Sequence, residues 1–434
     1  MIEIIQSREQ ERLAARLQAI RDRNVGFDDA LLREVTAVIR EVRIRGDAAL
    51  IDYTGRFDGV QLLASELRVP EETLHRYAQR VDAFVLESLR EAIQNVRAFH
   101  EQQKEESWEI SPTGGVRLGQ CINPIARAGL YVPGGTAAYP SSVVMNVVPA
   151  QVAGVARIVV TTPPRTLAEN PAVAAALVQL NVTEVYAVGG AQAIAALAYG
   201  TETVPRVDKI TGPGNKYVAA AKKLVFGAVG IDSIAGPSEV VIIADGSARA
   251  DYVAADLLAQ AEHAEDASAI LLTTSEDLAR GTAAEVTRQA ASLPRRAIVE
   301  RSLAAYGAIV LVSGIEEACA IANELAPEHL ELMTNDDENA ATQIRDAGAI
   351  FFGVHTPEAA GDYLAGPNHV LPTGGAARFS SALGVYDFIK RTSLLRYSKQ
   401  AIECSAHKIA ALAAAEGLDA HARSALIRLE PNQS

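Results

Sequence analysis

The sequence is poor in cysteine and in positive charge. Three cysteines occur among 434 residues, at positions 121, 319 and 404, and their spacing matches neither a zinc-binding pattern nor a disulfide framework. Any metal site must therefore be built from imidazole, carboxylate and amide groups. The formal net charge of −13 argues against nucleic acid or an anionic membrane as the main partner, because both require a basic surface.

Long apolar runs are also missing. No run reaches the ~20 residues that span a bilayer, and residues 1–9 lack the basic and then apolar order of a signal peptide. We therefore predict a cytoplasmic protein. At 434 residues the chain is too long for one small core, which predicts at least two lobes.

A rhythm of apolar strand, turn and helix fills the middle of the chain, first over about 126–237 and again over about 238–352. This rhythm indicates parallel sheets. The predicted fold class is α/β, with two similar, incomplete Rossmann-like lobes, a helical N-terminal region and a small C-terminal helical tail. The predicted domains are an arm at 1–25, a larger lobe at 26–125 plus 238–378, a second lobe at 126–237 and a tail at 379–434. We also predict helices at 28–45, from 70 to about 104 and near 384–390, and a helical tail hinged at Gly417.

One helix, predicted over 250–263, follows the apolar strand 239–244. Asp256, Gln260 and His263 share one of its faces, because residues three and four apart are neighbours on a helix. A polar face that begins just past a buried strand is where open α/β folds keep their sites. Gln260 and His263 could share a metal, although most such pairs are simply solvated.

Glu328 and His329 stand together at the start of a predicted strand. Side chains of neighbours on an extended segment point to opposite sides, so we expect the two to serve different partners. Histidine suits proton removal from an alcohol, because its ordinary pKa is near neutrality. The alternative is a surface pair without function.

Asp362 and His369 lie in the loop-rich segment 353–400 and are candidate ligands, since loops on a rigid scaffold carry sites. The alternatives are that Asp362 caps a helix and that His369 bonds to the backbone. His421 is isolated in the tail. None of the cysteines lies in an activating environment, which argues against a cysteine nucleophile.

Two glycine turns precede helices, Gly189–Gly190 and Gly212–Gly214, and helix N-termini attract phosphate. Neither turn completes the G-x-G-x-x-G pattern, and such turns also occur for steric reasons alone. Tyr131 could stack on a ring or be ordinary packing.

Several blocks together resemble the histidinol dehydrogenase family over nearly the whole chain. They are GLYVPGG at 129–135, GPGNKYV at 212–218, AGPSEV at 235–240, LAQAEH at 258–263, PEHLE at 327–331, AGPNHVLPTGG at 365–375, FSS at 379–381 and EG at 416–417. Two departures stand outside these blocks. Cys121 occupies a position where arginine is expected, and Ser233 one where methionine is common.

The resemblance implies an activity and its requirements. Members of this family oxidise L-histidinol to L-histidine through L-histidinaldehyde with reduction of two NAD+, as the last steps of histidine biosynthesis. The resemblance also implies one zinc per site, NAD binding by the lobe 126–237, and a homodimer whose active sites are shared between subunits.

The resemblance further implies a set of site residues. Glu328 and His329 would be the catalytic acid–base pair. Zinc ligands would be Gln260, His263, Asp362 and, from the other subunit, His421. Substrate contacts would be Ser238, Gln260, His263, His329, Asp362, Glu416 and His421. NAD contacts would be Tyr131, Gln192 and Asn215.

Two alternatives remain open at this point. One is a zinc-dependent NAD dehydrogenase of another small polar alcohol on the same fold. The other is a two-lobed ligand-binding protein without catalytic activity.

Overall fold

Two parallel sheets and one antiparallel sheet organise the chain. The computed structural model describes residues 2–23, 27–112, 114–134 and 139–430. Gly135, the last residue of the first motif, lies outside this part. The chain separates into two units, the first made of residues 1–103 and 126–388 and the second of residues 104–125 and 389–434. The boundaries of the four predicted domains remain a prediction.

In chain order, the strands are β1 Ile4–Gln6, β2 Trp108–Ile110, β3 Val116–Pro124, β4 Arg127–Tyr131, β5 Arg157–Thr162, β6 Val185–Ala187, β7 Lys209–Thr211, β8 Gly230–Ile231, β9 Glu239–Ala244, β10 Ser268–Thr273, β11 Ala308–Leu311, β12 His329–Met333, β13 Ala349–Phe352 and β14 Ile389–Tyr397. The α-helices are α1 Gln10–Asp22, α2 Asp29–Arg45, α3 Asp47–Phe57, α4 Glu71–Ala78, α5 Ala83–Glu101, α6 Pro140–Val152, α7 Thr166–Glu169, α8 Pro171–Gln179, α9 Gly190–Tyr199, α10 Lys216–Val225, α11 Ala250–Ala261, α12 Glu276–Ala290, α13 Arg296–Tyr306, α14 Ile315–Leu325, α15 Asp337–Ala341, α16 Glu358–Tyr363, α17 Lys399–Ala415 and α18 Asp419–Leu426.

The six-stranded sheet of the first unit has the order β1-β11-β10-β9-β12-β13, and all its strands are parallel. Its central strand β9 is buried along its whole length. A strand that is covered on both faces needs apolar side chains on both sides, so its sequence is a continuous apolar run, and 240–244 consists of Val, Ile and Ala. Apolar clusters fill the two faces of this sheet, one under α1 and α14 and the other under α11, α12 and α13.

The five-stranded sheet of the same unit has the order β6-β5-β4-β7-β8 and is also parallel. Helices α9 and α10 carry many alanines, so they pack closely on the sheet and on α2. The predicted α/β class with two parallel sheets is therefore confirmed.

The strand predicted over 239–244 is β9, and the helix predicted over 28–45 is α2 with bounds that agree within one residue, but three helix predictions need correction. The helix predicted from 70 to about 104 is two helices, because Asp82 accepts hydrogen bonds from the amides of Phe84 and Val85 and begins α5 anew. The segment 384–390 holds a single 3-10 turn followed by strand β14. Helix α11 ends at Ala261, so His263 lies just beyond it.

The second unit has an antiparallel sheet of order β14-β3-β2, followed by helices α17 and α18. Gly417 joins the two helices with a φ of +74°, a left-handed conformation that glycine adopts without steric cost, so the predicted hinge is confirmed. No helix in the described part of the chain is long and apolar enough to cross a membrane.

Candidate active site

The predicted catalytic residues lie at the amino edge of the six-stranded sheet. His329 is the first residue of β12 and pairs in register with Val240 at the start of β9. Gln260 is close to the end of α11, the helix that leads from β9 back to the start of β10. The expectation of a site just past the end of a strand is therefore wrong for this lobe.

The backbone of Glu239 fixes the proton position on His329. Nδ1 of the imidazole is 3.3 Å from the carbonyl oxygen of Glu239. A carbonyl only accepts hydrogen bonds, so Nδ1 carries the proton and Nε2 is the basic nitrogen of the neutral ring. Nε2 is buried, lies 3.6 Å from Oδ1 of Asp362, and has no hydrogen-bond partner among the described residues. In its neutral form, His329 therefore presents an unshared electron pair inside the site.

Glu328 is buried beside the histidine. Its Oε2 accepts a hydrogen bond from the backbone amide of Glu239 at 3.1 Å and lies 3.9 Å from Nδ1 of His329. Burial raises the pKa of Glu328, although the neighbouring imidazole opposes this shift. Glu328 and His329 therefore bind different backbone groups of one residue, the amide and the carbonyl of Glu239.

Glu358, which sequence reasoning missed, is a third buried acid in the site. Its Oε1 is 3.8 Å from Nδ1 of His329, and its backbone amide donates to Oε1 of Glu331 at 2.9 Å. Burial raises the pKa of Glu358 to about 8. A signal did exist, because Glu358 and Asp362 are four residues apart and so share one face of a helix that follows a proline.

The acids outnumber the bases in this region. Burial alone would lower the pKa of His329, but the charges of Glu358, Glu328 and Asp362 raise it to about 10. Behind them, Glu331 and Asp256 interact, and burial raises the pKa of Asp256 to about 6. The surplus of buried carboxylate suits a cation.

The residues fit a divalent metal ion. One ligand atom each from His263, Glu358 and Asp362 lie within 4.8 Å of one another. Nδ1 of His263 is 3.0 Å from the carbonyl oxygen of Ala259, so it holds the proton and leaves Nε2 for a metal. Gln260 is fully buried, and neither atom of its amide group has a hydrogen-bond partner in the described chain. Such a group is costly unless a ligand satisfies it, and nitrogen and oxygen donors of this kind suit zinc.

His369 and Cys319 are two further candidates from the sequence, and only His369 lies near the site. His369 is half-buried near Asp362, and its desolvation lowers its pKa. Cys319 is buried in α14, and burial raises the pKa of its thiol, which is the opposite of what a nucleophile needs.

The five-stranded sheet presents a neutral set of groups at the carboxyl ends of its strands. Tyr131, the last residue of β4, accepts a hydrogen bond at its Oη from the amide of Gly190 at the start of α9 (3.1 Å). Burial raises the pKa of Tyr131 to about 12. Gln192, in the first turn of α9, is buried, and neither side-chain amide atom is hydrogen-bonded within the described residues.

The turn at Gly212 brings Asn215 to the same edge. Gly212 has a φ of +115°, and a Cβ atom there would collide with the carbonyl oxygen of Tyr131. Asn215 begins α10 and accepts hydrogen bonds from Tyr217 and Val218. A buried ion pair holds the turn, since Lys222 donates to the Gly212 carbonyl at 3.1 Å and Asp232 accepts from the Gly212 amide at 2.8 Å.

Of the three remaining predicted substrate contacts, one lies beside the catalytic pair and two lie in the second unit. Ser238 immediately precedes β9, next to the backbone that binds the catalytic pair, and is close enough to hydrogen-bond Glu328. Glu416 ends α17, and His421 lies in α18; both belong to the second unit. The roles of these residues, like those of the other predicted ligands and contacts, remain predictions.

Two parallel sheets, one with buried acids and an imidazole at its amino edge and the other with neutral groups at helix N-termini, define an α/β protein with two chemically different edges. The family model of histidinol dehydrogenase matches residues 21–429. The chain belongs to the histidinol dehydrogenase family, whose members are oxidoreductases.

Individual relatives agree with this assignment. A histidinol dehydrogenase from Geobacillus kaustophilus is 56% identical over 402 residues, covering 92% of this chain and 94% of the relative. One from Syntrophotalea carbinolica is 50% identical over 416 residues, covering 96% of each. The crystal structure of histidinol dehydrogenase from Elizabethkingia anophelis has a TM-score of 0.90 at 39% identity and covers 96% of both chains.

Proposed function

We propose that this chain oxidises L-histidinol to L-histidine through L-histidinaldehyde, with reduction of two NAD+, in the last steps of histidine biosynthesis. The observation that carries the proposal is the buried Glu328–His329 pair, whose free imidazole nitrogen faces Asp362 beside the His263–Glu358–Asp362 cluster.

His329 is the base for the alcohol. The bond from Nδ1 to the Glu239 carbonyl leaves Nε2 as the proton acceptor of the neutral ring. The neighbouring acids favour the protonated ring, and a cation bound among them would offset their charge and favour the neutral form. The substrate alcohol thereby becomes an aldehyde as its hydride leaves. Because His329 is buried, the proton it receives is held away from bulk water.

Glu328 acts on the second half of the reaction. Its carboxylate accepts a proton from water, and the resulting hydroxide adds to the aldehyde carbon to form the anion of the hydrate, which passes its hydride to the second NAD+ and becomes the carboxylic acid. The amide of Glu239 fixes the orientation of this carboxylate. Retention of the aldehyde in a closed site protects a reactive amino aldehyde from side reactions.

Zinc would be held by Gln260, His263 and Asp362 together with the partner subunit's His421. When bound, zinc supplies a positive charge that orients the amine and imidazole of the substrate. Tyr131, Gln192 and Asn215 would contact NAD+, which supplies the acceptor for each hydride. Glu416 would balance the charge of the cationic substrate.

The second unit supports a homodimer with shared sites. It exposes large apolar side chains on both its sheet and its helices, among them Leu395 at 72% and Leu412 at 70% exposure. Exposed apolar groups concentrated in one region mark an interaction surface. A second copy of the chain would cover this apolar surface, and His421 and Glu416 of one copy would then complete the active site of the other. Location in the cytoplasm stays a prediction.

Subunit mixing tests the shared site. We expect His263→Ala and His421→Ala dimers to be inactive separately and to regain part of the activity after their subunits are exchanged, because one of the two mixed sites is then intact. Exchange verified by mass spectrometry without any recovered activity would contradict a site built from two chains.

The yield of NADH per histidinol consumed tests the activity itself. We expect two NADH, whereas one would mean that the aldehyde is released. Exhaustive chelation should abolish turnover and zinc should restore it; full activity in a metal-free sample would contradict the metal assignment. Turnover of another small alcohol but not of histidinol would favour the alternative substrate class.

A further inference from the structure

We propose that the buried ion pair of Arg23 and Glu239 is a positioning device that holds Glu328 and His329 in their catalytic geometry. The proposal rests on the function proposed above. It gives a role to two sequence motifs, AGPSEV at 235–240 and the end of AGPNHVLPTGG at 365–375, that the reaction itself leaves largely unused.

The backbone of Glu239 contacts both catalytic side chains. Its amide donates to Oε2 of Glu328 at 3.1 Å, and its carbonyl accepts from Nδ1 of His329 at 3.3 Å. Glu239 is the first residue of β9, where these groups lie at the sheet edge and bond to side chains. A shift of this residue along the strand would therefore move the carboxylate and the imidazole together.

The side chain of Glu239 is anchored from the N-terminal region. Nη2 of Arg23 lies 2.9 Å from Oε1 of Glu239, with the two side chains 1% and 8% exposed. Arg23 also donates to the carbonyl of Asp266, and its guanidinium lies 5.1 Å from the centre of the Tyr306 ring. The arginine thus has fixed contacts on several sides. The cost of desolvating two charges offsets their attraction, so a pair this deeply buried contributes little to the stability of the fold. Stability alone therefore does not explain the pair.

The same carboxylate faces the turn at Gly374 and Gly375. Burial raises the pKa of Glu239 to about 7, while Arg23 and the two glycine amides favour the ionised form. A second link runs in parallel, since the amide of Gly236 donates to Oγ1 of Thr373 at 2.6 Å. Glu239 therefore contacts three parts of the chain. They are Arg23 at the end of α1, the catalytic pair at the start of β12, and the turn at Gly374 and Gly375 that follows the proposed ligands.

The test measures kcat, KM for histidinol and for NAD+, zinc content and Tm of the full-length enzyme. We expect Glu239→Gln and Arg23→Met each to lower kcat per zinc-containing site roughly ten- to hundredfold, because small misplacements of catalytic groups cost this much. KM for NAD+ should change less than twofold. The double variant should lose no more than the worse single variant, since the two residues act as one unit.

Arg16→Met is the matched control. Arg16 lies on the same helix α1 and forms comparable links to Glu3 and to the carbonyls of Ala304 and Ala305, but it does not contact β9. It should keep kcat within twofold. If it loses as much rate as Arg23→Met, docking of the helix in general matters and the proposal is overturned.

Two further outcomes are decisive. A wild-type kcat in folded Glu239→Gln overturns the proposal. If Arg23→Met does not fold, Glu239→Gln decides alone. Glutamine keeps the size of glutamate and one acceptor oxygen, so this variant is expected to fold. No histidinol turnover by the unaltered enzyme would refute the proposed function and this inference with it. Unaltered rates in variants of an active enzyme refute only the inference.

Discussion

The two parallel sheets of the first unit place their candidate functional side chains at opposite edges. The six-stranded sheet uses its amino edge, where β9 and β12 begin, and gathers acids and imidazoles there. The five-stranded sheet uses its carboxyl edge, where β4 ends and helices α9 and α10 begin, and offers a phenol and two amides. Two sheets of the same parallel type therefore carry chemically different groups, because one presents them at its amino edge and the other at its carboxyl edge.

Helix direction explains the difference. Helix N-termini carry partial positive charge and C-termini partial negative charge. The carboxyl edge of a parallel sheet receives helix N-termini, which suit the phosphates of a dinucleotide. The amino edge receives helix C-termini, here those of α11 and α14, which suit a metal ion and a cationic substrate. Under the proposed assignments, the charge of each ligand is opposite to that of the helix ends named here for its edge.

Replacement of His329 should break the amino edge most severely. We expect His329→Asn to reduce kcat on the order of a thousandfold, because it removes the general base. Bound zinc should stay at the wild-type level, since the imidazole is not among the proposed ligands. Exposed His75 gives the control variant His75→Asn, with unchanged rate. A rate within tenfold of wild type would rule out His329 as the base.

The buried acids should make stability depend on pH in the six-stranded lobe. The pKa of Glu239 is raised to about 7 in the folded protein, so its contribution to stability is complete below its unfolded pKa of about 4.5 and is lost as the pH rises through 7. Relative to Glu239→Gln, the wild-type unfolding free energy should therefore fall by about 3 kcal/mol between pH 4.5 and pH 8.

Urea unfolding across this pH range measures the dependence. Glu338, an exposed acid in α15, gives the control Glu338→Gln, which should follow the wild type at every pH. Parallel curves for wild type and Glu239→Gln would contradict the assignment of this titration to Glu239.

A change at Gly212 should affect only the carboxyl edge. We expect Gly212→Ala to raise KM for NAD+ about tenfold, a loss of about 1.4 kcal/mol, because the added Cβ pushes against Tyr131 and tilts the start of α10. Zinc content should not change. Gly227→Ala is a matched control in the same lobe, since Gly227 also has a positive φ, +99°, but open space around it. Equal effects in both variants would point to backbone strain alone.

Sequence periodicity was sufficient for elements whose hydrophobic pattern is local. The continuous apolar run of β9 and the glycine turns of the five-stranded lobe predicted parallel sheets correctly. Strand β14 was missed because most of its side chains are exposed and its partner β3 lies about 270 residues earlier in the chain. Only the pairing itself makes that segment a strand.

The site was predictable only where motifs marked its members. His263 and Asp362 were expected to meet, and they do. Glu239 was missed because its contact with His329 is made between neighbouring strands. Glu358, which lies 3.8 Å from Nδ1 of His329, was indicated only by its spacing of four residues from Asp362. The position of Glu328 and His329 at the start of a strand was predicted correctly. The site on α11 was expected just past the end of β9, but Gln260 lies near the end of this helix, back at the amino edge of the sheet.

Ala326 is one of two non-glycine residues in the described chain with a positive φ, at +49°, and it ends α14 two residues before Glu328. An alanine in this conformation costs about 1 kcal/mol relative to glycine. A glycine would remove that cost but would add freedom to the unfolded chain and to the turn that enters the catalytic strand. A glycine introduced here for heat resistance would therefore remove backbone strain from the folded protein but would make the turn next to the reacting groups less rigid.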